Sequence, residues 1–274
     1  MSAAGRVRDR LCSVHAPFAD IEAVRQSTRR VLRTVGDLTD EQAAGRSRLP
    51  GWSRAEVLTH LARNADGGRG IAEAAARGEV GLQYPGGAEQ RIAGIAAGRG
   101  VGAAALLADL RRSCDGLMEA WSQLPDDAWD RVGRSLSGER TQRGWVWSRW
   151  REVEVHHVDL GLGYAPSEWP VAFVVRGLDE SLAELPGRLD RRRAPLGTTV
   201  RIEATDHARA WIIRVTTTPS VGEVGDASEP VDATVSGWGC DVLAWLYGRD
   251  PTGSGLAVSG DPGAVHLPDW FPTP

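Results

Sequence analysis

Lysine is missing from this chain: all 32 basic residues are arginine. That excludes a Schiff-base lysine, a P-loop lysine and a lysine general base, and with them several enzyme classes. Cysteine is scarce. Cys12, Cys114 and Cys240 are odd in number and far apart, and none has two or three further Cys or His at zinc-finger spacing. Reduced thiols in a cytoplasmic protein fit that usage best. No run approaches the ~18–20 uninterrupted apolar residues of a membrane span. The three arginines of residues 1–10 are followed by no apolar core, which argues against a secretory signal. Neither sign of charge dominates, with 32 basic against 36 acidic residues and a net charge of −4, so a dedicated nucleic-acid binder is not expected. Internal repeats and low-complexity tracts are also absent.

What is present is ordinary globular material: 274 residues, 42% apolar and 25% charged. That length accommodates about two domains, each able to bury its own core. Residues 1–16 read as a tail without periodicity. From Phe18, the positions Ile21, Val24, Val31, Leu32 and Val35 recur at helical spacing up to Gly36. Ser53 with Glu56 forms a capping box that opens a second helix, expected to run out at Gly67-Gly68. Ala-rich helices follow near Ile71–Arg77 and Glu89–Ala97, then an amphipathic helix over 102–123 and another from Trp145 to Leu160. Residues 17–165 therefore read as an all-helical bundle of the four-helix type. After the Gly/Pro cluster at 164–170 the texture changes: a helix over 171–185, alternating runs at 198–204, 210–216 and 231–236, a helix over 239–247 and a strand at 256–259. Residues 166–274 thus predict a smaller α+β domain with a mostly antiparallel sheet.

The chemistry concentrates in two helices. In the segment Arg151-Glu-Val-Glu-Val-His156-His-Val-Asp159-Leu160, Glu152 and His156 are four apart, about 5–6 Å at Cβ on one helix face. A divalent ion fits such a pair if a facing helix supplies a third ligand, and His60 flanks the apolar stripe of its own helix. Two histidines and one carboxylate leave a coordination position open, as catalytic zinc sites do. The same spacing also arises in simple helical ion pairs, and His60 alone is equally a hydrogen-bonded, half-buried histidine. Asp159 stands three residues from His156, where it orients that imidazole or pairs with an arginine. Glu154 and His157 fall on other faces, as solvent-side or supporting groups. Ser53 is better explained as a cap than as a nucleophile. Cys114 and Cys240 fall in helices as small core residues, Trp145, Trp147 and Trp150 read as core anchors, and Gly98-Arg-Gly-Val-Gly102 lacks the strand-then-helix context of a phosphate loop.

These two segments resemble a known family. Leu49-Pro-Gly-Trp-Ser-Arg-Ala-Glu-Val-Leu-Thr-His60-Leu-Ala-Arg-Asn-Ala-Asp66, together with the segment from Arg151 to Tyr164, is similar to the mycothiol-dependent maleylpyruvate isomerases. Trp245-Leu-Tyr-Gly-Arg249, Gly255-Leu256, Gly260-Asp261 and Leu267-Pro-Asp-Trp270 carry the likeness to the C-terminus. The resemblance implies a DinB-like metal-binding bundle followed by an α+β domain, with His60, Glu152 and His156 as ligands of a divalent metal, zinc first. It also implies that Arg91, after Tyr84-Pro-Gly-Gly, and Arg249 bind the carboxylates of a small dicarboxylate. A guanidinium fork suits that task at any working pH.

The implied reaction is cis–trans isomerisation of maleylpyruvate to fumarylpyruvate in aromatic catabolism: a thiolate adds, the bond rotates and the thiolate leaves. The implied thiol is mycothiol, in keeping with an Ala/Gly-rich, lysine-free composition of actinobacterial character. No membrane, nucleic acid or obligatory protein partner is expected. Two alternatives remain at this level: a mycothiol S-transferase acting on another electrophile, and a non-catalytic metal- or thiol-sensing regulator.

Overall fold

The computed structural model describes residues 16–190, 192–224, 229–250 and 253–270, so Cys12 and nearly all of the expected tail lie outside the described residues. The chain divides into two compact units, Met1–Tyr164 and Ala165–Pro274.

The first unit is a helical bundle. Its elements are α1 (Phe18–Thr34), α2 (Asp40–Ala44), α3 (Arg54–Ala76), α4 (Gly87–Ala96), α5 (Ala103–Ser122), a hairpin of β1 (Val132–Ser135) and β2 (Gly138–Thr141), and α6 (Gln142–Asp159). Helices α1, α6, α3 and α5 close a ring in which each packs on the next. Between them lie Val24, Val31, Leu58, Leu61, Leu110, Leu117, Trp150 and Val153.

Local chemistry sets the helix ends. Ser53 Oγ accepts from the Glu56 N–H while the Glu56 carboxylate accepts from the Ser53 N–H, the capping box read from sequence. Leu49-Pro50-Gly51-Trp52 forms a turn closed by the Trp52 N–H on the Leu49 carbonyl, and Gly51 takes the left-handed φ of +81° that a type II turn requires there.

Two expectations fail here, and one open choice is settled. Gly67-Gly68 does not end a helix: α3 continues to Ala76 and absorbs the separate helix expected at 71–77. These glycines admit close neighbours instead. A Cβ on Gly67 would lie 2.6 Å from Gln83 Cγ and 2.7 Å from the Gln83 carbonyl oxygen, and one on Gly68 would lie 3.3 Å from Leu117. Nor is the unit wholly helical, because β1 and β2 pair antiparallel just before α6. Strands of four residues are too short to impose a visible alternation. Of the two places expected for Glu154 and His157, at the solvent side or in support, they take the second. They are 0% and 2% exposed.

The second unit is α+β, as expected. Helix α7 (Val171–Glu184) precedes β3 (Thr199–Ala204), β4 (Arg209–Arg214), β5 (Ser220–Val224), β6 (Ala233–Gly237), α8 (Gly239–Leu246), β7 (Ala257–Gly260) and the short α9 (Leu267–Trp270). The sheet order is β5-β4-β3-β6-β7, antiparallel except for the β3–β6 pair. Strand β5 went unseen in the sequence, its alternation broken by Gly222. Helix α8 packs on α7 and on β3, burying Val242, Leu243 and Trp245. No helix among the described residues is long and apolar enough to cross a membrane.

Candidate metal centre

Helix α6 is held from one side and presents ligands on the other. Successive residues turn by about 100°, so Glu154 points away from Glu152 and His156, which share a face. On the held side the Glu154 carboxylate accepts from Ser27 and Arg30 of α1, from Trp150 Nε1 (3.2 Å) and from the Tyr164 hydroxyl (2.6 Å). His157 bonds Thr34 Oγ1 at 2.8 Å and stacks on Tyr164 with ring centroids 3.8 Å apart. Burial, reinforced by the Arg30 cation, lowers the His157 pKa to about 4, so this imidazole stays neutral.

On the opposite face three ligand atoms converge. His60 Nε2 lies 2.8 Å and His156 Nε2 3.3 Å from the same carboxylate oxygen of Glu152, and one ligand atom from each residue falls within 4.8 Å of the others. The two imidazole rings meet edge to face at 4.6 Å. Among the described residues this is the one cluster of three or more groups arranged to hold a metal ion. His60 is 3% exposed and its Nδ1 has no hydrogen-bond partner, so its polar interaction is directed into the cluster. Glu152 is 25% exposed, which leaves the centre open on one side.

The electrostatics suit a cation. Burial lowers the His60 pKa, with the charges of His156 and Arg91 acting the same way against Glu152, and so favours the neutral imidazole a metal needs. Burial alone would raise the Glu152 carboxyl, but hydrogen bonds from His156 and His60 hold it well below its usual range. His156 is raised against its burial by Asp159 and Glu152. Its Nδ1 lies 2.8 Å from the buried Asp159 carboxylate, which fixes the tautomer and turns Nε2 toward the cluster. Two nitrogens and a carboxylate oxygen, one histidine oriented by a second carboxylate and one face open, form a donor set that fits Zn2+ or a similar divalent ion.

The surroundings join the two sequence motifs. The Arg48 N–H donates to the Asp159 carbonyl at 2.7 Å and Arg54 Nε to the Leu160 carbonyl at 2.8 Å, so the loop before α3 closes the end of α6. Trp52 stands edge-on to His60 at 5.8 Å. The charge of Arg91 is felt strongly at Tyr84 and more weakly at His60, where it is the least of the influences. Arg249 belongs to the second unit, just past α8, where its Nη1 donates to the Tyr247 carbonyl.

Sequence reasoning missed Arg149. Three residues before Glu152 on the ligand face, it is buried and donates to the Leu61 carbonyl and to Asn64 Oδ1, both at 2.8 Å, pinning α3 to α6 one turn from His60. Its helical spacing from Glu152 and His156 was the available signal. Cys114 and Cys240 are free and buried, and Trp145, Trp147 and Trp150 are core, as expected.

The architecture defines a helical-bundle protein carrying a candidate two-histidine, one-carboxylate metal centre, with an α+β unit after it. Comparison with known proteins narrows that class. Residues 24–161 match the family described as the Mycothiol maleylpyruvate isomerase N-terminal domain, and the chain belongs to that family. Its fold is shared with the crystal structure of the mycothiol-dependent maleylpyruvate isomerase, with a TM-score of 0.72 and 22% identity over 88% of this chain and 92% of that one. The crystal structure of a point mutant under the same name aligns equally well, with a TM-score of 0.72 at 21% identity. No match was found among curated proteins.

Proposed function

We infer that this protein is a metal- and mycothiol-dependent cis–trans isomerase that converts maleylpyruvate to fumarylpyruvate. The observation that carries the reading is the convergence of His60, Glu152 and His156 on one open-sided point, in a chain of this family. A divalent ion held by His60, Glu152 and His156 (zinc, by the donor set) would supply Lewis acidity that lowers a thiol's pKa, and mycothiol would be the thiol that adds to the double bond, permits rotation and departs.

The chain's own groups have separable tasks. His60, Glu152 and His156 hold the ion. Asp159 keeps the His156 imidazole in the tautomer that offers Nε2. Trp52 and the buried side of α3 keep water from the His60 side. Arg91, whose charge reaches His60 and Tyr84, takes one substrate carboxylate through a guanidinium that stays charged throughout. Arg249 is assigned the second carboxylate on its place in the Trp-Leu-Tyr-Gly-Arg segment alone. The buried thiols are not the nucleophile: burial raises the pKa of both Cys114 and Cys240, which suppresses the thiolate. Free cysteines also fit a reducing compartment, so the proposed location is the cytoplasm.

The test is turnover of maleylpyruvate by zinc-loaded protein with mycothiol, with glutathione and with no thiol. Fast fumarylpyruvate formation with mycothiol alone is expected. Bound zinc without turnover in any arm would overturn the isomerase reading, and a stable thioether product would replace it with an S-transferase.

A further inference from the structure

Tyr84 is half-exposed as a residue, yet its hydroxyl is buried without a well-formed hydrogen bond: the Arg91 guanidinium alone comes near it, as a donor, and no acceptor takes its proton. A buried hydroxyl whose proton finds no acceptor is destabilising. Phenylalanine would fill the same space without that cost, so packing does not explain the oxygen.

The fold aims this side chain deliberately. Helix α4 runs back along α3 through a series of close approaches: Gly98 lies against Thr59 and the Ala55 carbonyl, and Gly94 against the stem of Arg63. The segment before α4 is seated the same way, with Gln83 pressed onto Gly67 and its N–H bonded to the Arg134 carbonyl at 2.8 Å. His60, Asn64 and Gly67 follow one face of α3. Tyr84, next to Gln83, is thereby carried along the face that holds His60. The charges it feels agree with this placement. Burial raises the phenol pKa, the Arg91 cation opposes the rise more strongly than any other charge, and the Glu152 carboxylate reinforces it. The hydroxyl therefore stays protonated, near a guanidinium that can only donate and near a carboxylate already engaged by two histidines. What this corner lacks is an acceptor, and an anionic one.

The geometry points to Tyr84 and Arg91 as a joint carboxylate subsite, in which the Tyr84 hydroxyl donates one hydrogen bond to a ligand carboxylate that also receives the Arg91 fork. No bond is made or broken and no proton is transferred there. The subsite orients the ligand's reacting carbons relative to the metal centre. The inference takes from the isomerase reading only that the ligand is a dicarboxylate.

The test is calorimetric binding to zinc-loaded protein without thiol, so that nothing turns over. Three ligands are compared: fumarylpyruvate and two fragments that each keep one of its carboxylates, acetylpyruvate and acetylacrylate. Tyr84→Phe is expected to bind zinc with unchanged stoichiometry and to lose about 10- to 100-fold in affinity for fumarylpyruvate. It should lose as much for one fragment and nothing for the other. Arg91→Ala should select the same fragment, and the double variant should lose less than the product of the two single losses. Equal affinity of wild type and Tyr84→Phe for fumarylpyruvate would overturn the subsite and leave the isomerase reading standing. Equal weakening for both fragments would also overturn it, since the hydroxyl would then not act on one carboxylate. Failure of the wild type to bind fumarylpyruvate at all would overturn both.

Discussion

Replacing Glu154 with alanine tests how helix α6 is held. The carboxylate is wholly buried and takes four donors: Ser27, Arg30, Trp150 Nε1 and the Tyr164 hydroxyl. Its removal takes the acceptor from Trp150 Nε1 and the Tyr164 hydroxyl in the interior, each costing about 1–3 kcal/mol before relaxation, while the Ser27 hydroxyl falls back on the Ala23 carbonyl at 2.8 Å. Arg30 keeps 27% of its side chain in solvent, so its share is discounted. A loss of roughly 3–5 kcal/mol follows, the usual range for breaking a buried charged network. At about 2–4 °C per kcal/mol for a chain of this size, the helical signal near 222 nm should melt about 6–20 °C lower. Glu154→Gln, which keeps the volume and one acceptor oxygen, should fall between. Zinc affinity should drop in both, because the ligands on the opposite face depend on the rotation of α6. A melting temperature for Glu154→Ala within about 2 °C of wild type would refute the reasoning.

Other consequences follow from the same geometry. Asp159→Asn should weaken zinc binding about 10- to 100-fold, read by competition with a chromophoric chelator, and an unchanged affinity would mean that Asp159 does not orient His156. His157 has a folded pKa of about 4 against an ordinary 6.5, so the unfolded chain binds the extra proton between those values. Stability is full above about pH 6.5 and declines by roughly 3 kcal/mol as pH falls toward 4. His157→Gln should flatten that slope in denaturant titrations, and an unchanged slope would assign it elsewhere. Gly67→Ala should push Gln83 away and raise the KM for the dicarboxylate while zinc content holds, because the added Cβ meets the Gln83 carbonyl oxygen as well as its Cγ, and the backbone atom cannot swing aside as a side-chain end can. An unaltered KM would show that the Tyr84 segment adapts.

Much of this molecule is legible in its residues. The Ser53–Glu56 capping box, the Pro50-Gly51 turn and the i,i+4 pair of Glu152 and His156 each have a local cause, and each stands where local chemistry puts it. The errors share a different cause. In α3, glycines read as breakers are places of close approach, and only the neighbouring segment reveals that use. In α6, 13 of 18 residues are buried, so no polar face shows which way Glu154 turns. Its partners Ser27 and Arg30 are more than a hundred residues away in sequence. Tyr84 gave no signal either, because an unpaired hydroxyl is defined only by what surrounds it.

The most direct test of the central claim is zinc titration of the metal-free protein alongside His60→Ala, Glu152→Ala and His156→Ala, with far-UV circular dichroism recorded for each. One equivalent per wild-type chain is predicted, with loss of tight binding in all three folded variants. Wild-type stoichiometry and affinity in the three variants would contradict the assignment of these residues as the metal centre.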